Sequence, residues 1–75
     1  MADLVSVEVE TLLGARYVFP DMQRAVLDPA IKVASDQGQL TFVNVSGACL
    51  TMKMRIVKTI TYDGEVRWRG PAAST

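Results

Sequence analysis

Residues 50–69 read LTMKMRIVKTITYDGEVRWR, and the fold turns on how this stretch alternates. From Leu50 to Tyr62 the even positions are Leu50, Met52, Met54, Ile56, Lys58, Ile60 and Tyr62. The odd positions are Thr51, Lys53, Arg55, Val57, Thr59 and Thr61. One side is nearly all apolar and the other carries threonine and positive charge. Side chains point to opposite faces of a strand with period two, so the pattern predicts one long half-buried strand. Asp63-Gly64 then marks a turn, with Glu65–Arg69 returning as a hairpin partner. A two-residue loop would pair Tyr62 with Glu65 and turn Val66 and Trp68 onto the threonine face. A three-residue loop, with Gly64 left-handed and a glycine bulge, pairs Ile60 with Val66 and Lys58 with Trp68. Register follows the requirement that large apolar residues share a face, so the three-residue loop is the expectation.

Upstream, residues 39–45 (QLTFVNV) read as a further strand, broken by Ser46-Gly47. Ser35-Asp36-Gln37-Gly38 is a turn by composition. At the N-terminus, Val5, Val7 and Val9 alternate with Ser6, Glu8 and Glu10, a half-buried strand. Gly14 offers a turn, Arg16–Phe19 a short returning strand, and Pro20 its end. Pro20 and Asp21 suit the opening of a helix, and Met22, Val26 and Leu27 keep helical spacing. Pro29 disfavours helical conformation at Asp28, so the helix is expected to be short, around 21–27, followed by a turn or strand at 30–34. The expected fold is mainly β, at the margin of α+β: a small antiparallel meander with one short helix and a C-terminal hairpin over 50–69. Residues 1–70 form a single domain and 71–75 a tail that leaves the sheet.

A 75-residue chain buries only about 60–65% of the surface its unfolded form exposes, so its core is marginal without a staple. A lone cysteine, Cys49, excludes an internal disulfide, and the chain has no histidine. Those two absences argue against a zinc site, and no cofactor is expected. They leave association with a partner as the source of extra stability. Without histidine the commonest general base near neutral pH is missing. Cys49, between Ala48 and Leu50, reads as a buried structural thiol rather than a nucleophile. Enzymatic activity is therefore not expected.

The chain is neutral overall, with eight basic and eight acidic residues, but unevenly so. Residues 1–40 hold six acidic side chains against three basic, and residues 41–75 hold five basic against two acidic. Two oppositely charged faces suit the packing of copies head to tail. Two surfaces are candidates for a partner. Val5, Val7 and Val9 lie on an N-terminal strand with few of the devices that protect a sheet edge, and this edge is expected to pair with another chain. Lys53, Arg55, Arg67 and Arg69 lie on the odd face of the hairpin, a basic stripe of the sort that neutralises phosphates. Parity turns Tyr62 and Trp68 away from that stripe, which disfavours base stacking and hence nucleic acid.

No run approaches the ~18 apolar residues of a membrane span, and the acidic N-terminus does not resemble a signal peptide. The expected setting is a reducing cytoplasm, where the sequon Asn44-Val45-Ser46 has no consequence. The leading expectation is a non-enzymatic accessory structural protein that associates with copies of itself or docks on a larger complex, such as a virion decoration or joining protein. A small inhibitor or adaptor acting through the basic hairpin face, and a nucleic-acid-binding module on the same face, are the alternatives.

Overall fold

The computed structural model describes residues 3–70; the tail expected at 71–75 lies outside them. The protein is mainly β with one helix. The described residues form six strands: β1 (Leu4–Thr11), β2 (Arg16–Gln23), β3 (Gln39–Val43), β4 (Cys49–Lys53), β5 (Val57–Tyr62) and β6 (Glu65–Arg69). A helix, α1 (Arg24–Gln37), separates β2 from β3, and a 3₁₀ turn at Met54–Ile56 separates β4 from β5. All pairings are antiparallel. They form a four-stranded sheet in the order β2-β1-β5-β6 and a separate β3–β4 hairpin.

This arrangement is not the expected meander. The stretch 50–62 is not one strand: its first part pairs with β3 and its last with β1. Alternation at Leu50, Met52 and Met54 is kept up to the 3₁₀ turn, and the core parity then restarts at Val57, Ile60 and Tyr62. Between Val57 and Thr59 a bulge opens, since these two residues pair with the adjacent Thr11 and Glu10. Lys58 is the extra residue, and it lets Val57 and Ile60, three apart, both reach the core.

Bulges settle two further conflicts between pattern and strand. Tyr62 pairs with Glu65 across the two-residue loop Asp63-Gly64, both at positive φ (57° and 73°). The three-residue loop does not form, because two left-handed residues suit the twist of a tight hairpin. Parity is repaired instead inside β6. Thr61 pairs with Val66 and Ile60 with Trp68, leaving Arg67 as a bulge. Trp68 thus faces the core beside Ile60, while Val66 turns outward. In β2, Val5 pairs with Met22 and Val7 with Phe19, so Pro20 and Asp21 together stand opposite Ser6. Asp21 takes φ 61°. Pro20 therefore does not end the strand: at a bulge in an edge strand no ladder donor is required of it.

The helix also differs from expectation, running 24–37 straight through Pro29. Residues 30–34 are helical and the expected turn at 35–37 is the last helical turn. Leu27, Ile31 and Ala34 are buried at i, i+4 and i+7, one stripe of a helix. Burial of that stripe outweighs the one hydrogen bond that proline forfeits to Ala25. Gly38 closes the helix at φ 78°, its N–H donating to the Ala34 carbonyl at 2.8 Å.

The inner face of the four-stranded sheet supplies Val7, Val9, Met22, Val57, Ile60 and Tyr62 to one core, joined by the helical stripe and by Leu40 and Phe42 of β3. Phe19 and Phe42 stack across the two sheets with centroids 6.5 Å apart. Asn44 ties the layers together. Its Nδ2 donates to the Pro20 carbonyl at 2.9 Å, and its Oδ1 accepts from the Ser46 and Ala48 amides, each at 3.0 Å. The Val45 amide donates to the Asp21 carbonyl, so the turn of the second hairpin sits on the β2 bulge.

Candidate association surfaces

The N-terminal strand is not an edge. β1 is paired on both sides, to β2 and to β5. Val7 and Val9 are fully buried and Val5 is half-buried in the core. Pairing of this strand with another chain is thereby removed, because its ladder groups are already used within the sheet. The open edges of the four-stranded sheet belong to β2 and β6. β6 carries Glu65, Arg67 and Arg69 and a bulge, and β2 is obstructed at Pro20–Asp21 by the β3–β4 turn. Both edges are thus protected by familiar devices.

The four basic residues of the predicted stripe do not form one face, because the 3₁₀ turn and the bulge at Arg67 send them different ways. Lys53 ends β4, opposite Gln39. Arg67 lies over the Tyr62 ring, 4.8 Å from its centroid, and ion-pairs with Glu65 at 3.4 Å and Asp63 at 3.9 Å. Arg55 and Arg69 do come together. With Ser35, Met54 and Trp68 they line an open groove of about 380 Å³. Among the described residues the other arginines are ion-paired: Arg16 with Glu8 at 2.8 Å, Arg24 with Asp3 and Asp63, Arg67 as above. Arg55 and Arg69 have no carboxylate partner among the described residues. The groove is therefore a concentrated, uncompensated positive site against the edge of an indole.

Beside it lies an apolar tip. The loop joining β1 and β2 is held by Thr11, whose N–H donates to the Ala15 carbonyl and whose Oγ1 accepts from the Ala15 amide. The Leu12 amide donates to the Ile56 carbonyl at 2.9 Å, which sets the tip next to the 3₁₀ turn. Leu13 is 93% exposed, with Leu12 and Ile56 also outside the core. Composition alone did not flag Leu12-Leu13 as a tip; a leucine pair directly before Gly14 was the available signal.

The opposite end of the sheet is acidic. Asp3, Asp63 and Glu65 surround Arg24 and Arg67 in one ion-pair cluster, and Asp28 accepts a hydrogen bond from the Tyr62 hydroxyl. Four carboxylates there face two guanidiniums. Burial, together with the hydrogen bond to Asp28 and its charge, pushes the Tyr62 phenol above its ordinary value, against the opposing pull of Arg67 and Arg24.

Cys49 is exposed, not buried, with its Sγ 3.6 Å from Thr51 Oγ1; β4 turns its odd positions outward. Among the described residues no group of three metal-ligating side chains occurs, and no helix is long and apolar enough to cross a membrane. Comparisons with protein-family models, curated proteins and solved structures return no match.

Proposed function

We propose that the protein is a non-enzymatic accessory structural protein that acts by assembling with copies of itself, as a decoration or joining part of a virus particle would. The observation that carries this reading is the exposed apolar tip. Scattered surface leucines are ordinary, but Leu12 and Leu13 lie on a loop held in shape by backbone bonds and tied to exposed Ile56 of the 3₁₀ turn. Covering Leu13 alone with a partner is worth about 2 kcal/mol. A 75-residue chain with no disulfide has reason to gain stability this way. Eleven large apolar side chains stay exposed beside a core of twelve residues, so a second layer of burial is available to an assembly.

The test is the double variant Leu12→Ser/Leu13→Ser, compared with the native chain by sedimentation velocity. Both side chains lie outside the core, so the melting temperature of the dilute monomer is expected to hold while association weakens. Identical sedimentation of the two proteins at every concentration would refute the role of the tip.

A further inference from the structure

We infer that the self-association is polar: the acidic hairpin turn of one copy seats on the Arg55/Arg69 groove of the next. The inference rests on the self-assembly reading and names the contact. Its two halves lie at opposite ends of the same strands. Asp63 lies in the β5–β6 turn and Glu65 opens β6 beside it, while Arg69 pairs with Thr59 and the Gly70 amide donates to the Lys58 carbonyl at the other end. From Val57 to Tyr62 a strand spans roughly 17 Å, so one copy cannot fold its own turn onto its own groove. A second copy can bring it there.

Charge and shape agree with that occupant. The groove holds the two arginines left without a carboxylate, and the turn belongs to a cluster with an excess of carboxylates. The Glu65 side chain, 69% exposed and held by Arg67 at 3.4 Å, opens β6 directly after the narrow two-residue turn, the form of element that enters an open groove. Guanidinium and carboxylate meet through paired parallel hydrogen bonds, and the Trp68 edge and Met54 offer an apolar wall for the turn's backbone. Self-pairing of two grooves would oppose like charges. With the copies set head to tail, each turn on the next copy's groove, the contact is heterologous and generates rings or open chains.

The experiment is a charge-reversal pair read by light scattering and by the fluorescence of Trp68, the chain's only tryptophan. Arg55→Glu/Arg69→Glu changes exposed, unpaired residues, so circular dichroism should report an unchanged fold. Glu65→Lys alters the other half. Each variant alone is expected to associate at least about tenfold more weakly than the native chain. The mixture should recover association, because the intact turn of the first meets the intact groove of the second, and Trp68 emission should shift only in the mixture. Native-like association of the arginine variant overturns the polar contact while leaving assembly through the tip standing. A native chain that is monomeric throughout overturns both. A Trp68 response to an oligothymidylate in place of self-association overturns the inference in favour of nucleic acid.

Discussion

Replacing Asn44 by alanine should cost the protein about 2–3 kcal/mol, far more than a surface loop substitution. The figure follows from three hydrogen bonds made by one amide that is 8% exposed. Each contributes roughly 1 kcal/mol net; the freed groups lie at turns that water reaches in part, which keeps the total from rising higher. For a domain of this size each kcal/mol moves the melting temperature by about 4–8 °C, so a fall of roughly 10–20 °C is expected. Asn44→Asp separates the two jobs of the side chain. Its carboxylate still accepts from the Ser46 and Ala48 amides, but it can no longer donate to the Pro20 carbonyl. Hydrogen exchange should therefore show those two amides unprotected in the alanine variant and protected in the aspartate variant, while both loosen the contact with the β2 bulge. Chemical denaturation of the three proteins supplies the energies. An alanine variant within about 0.5 kcal/mol of the native chain would refute the claim that this side chain joins the two sheets.

Other substitutions probe the remaining devices of the fold. Pro29→Ala restores an N–H facing the Ala25 carbonyl, and a gain of about 1–2 kcal/mol by thermal melting is expected after the entropy released to the unfolded chain is deducted; no gain would mean that proline costs this helix nothing. Gly70→Ala would put a Cβ 2.6 Å from the Val57 carbonyl oxygen and 3.2 Å from the Trp68 ring, so a loss of about 1–3 kcal/mol is expected from denaturant titration. The raised phenol of Tyr62 implies an alkaline limb of stability. Because the folded protein holds that proton more tightly than the unfolded chain, its contribution is complete below about pH 10 and declines as pH climbs through the folded value. Melting curves from pH 8 to 11 should fall more steeply for the native chain than for Tyr62→Phe, and parallel curves would contradict the assignment.

Much of the secondary structure was legible because alternation survives locally. Val5, Val7 and Val9 do share the core face, as do Ile60 and Tyr62, and Trp68 does turn inward. What the pattern could not convey is where a strand changes sheet. Met54–Ile56 carries an apolar–basic–apolar rhythm that suits a strand and equally suits a single 3₁₀ turn, and only the pairing of Met52 with Leu40 and of Ile60 with Val9 tells them apart. The same limit scattered the predicted basic stripe: a face inferred over 53–69 assumes unbroken parity, and the 3₁₀ turn with bulges at Lys58 and Arg67 breaks it three times. Of its four residues, only Arg55 and Arg69 meet. The predicted N-terminal edge failed for a non-local reason, because β5 returns from the far end of the chain to cover β1. Pro29 misled in the other direction, since its local preference is opposed by the burial of Leu27, Ile31 and Ala34, whose spacing was visible on either side of it.

The central claim is that this small fold is completed by other copies of itself, and solution mass tests it most directly. Light scattering after size exclusion, across a hundredfold concentration range at low and high salt, should give a mass above the 8.2 kDa of one chain. That mass should rise with concentration without stopping at a dimer, and fall towards the monomer as salt screens the charged ends. A mass of 8.2 kDa at every concentration and both salt levels would contradict the account.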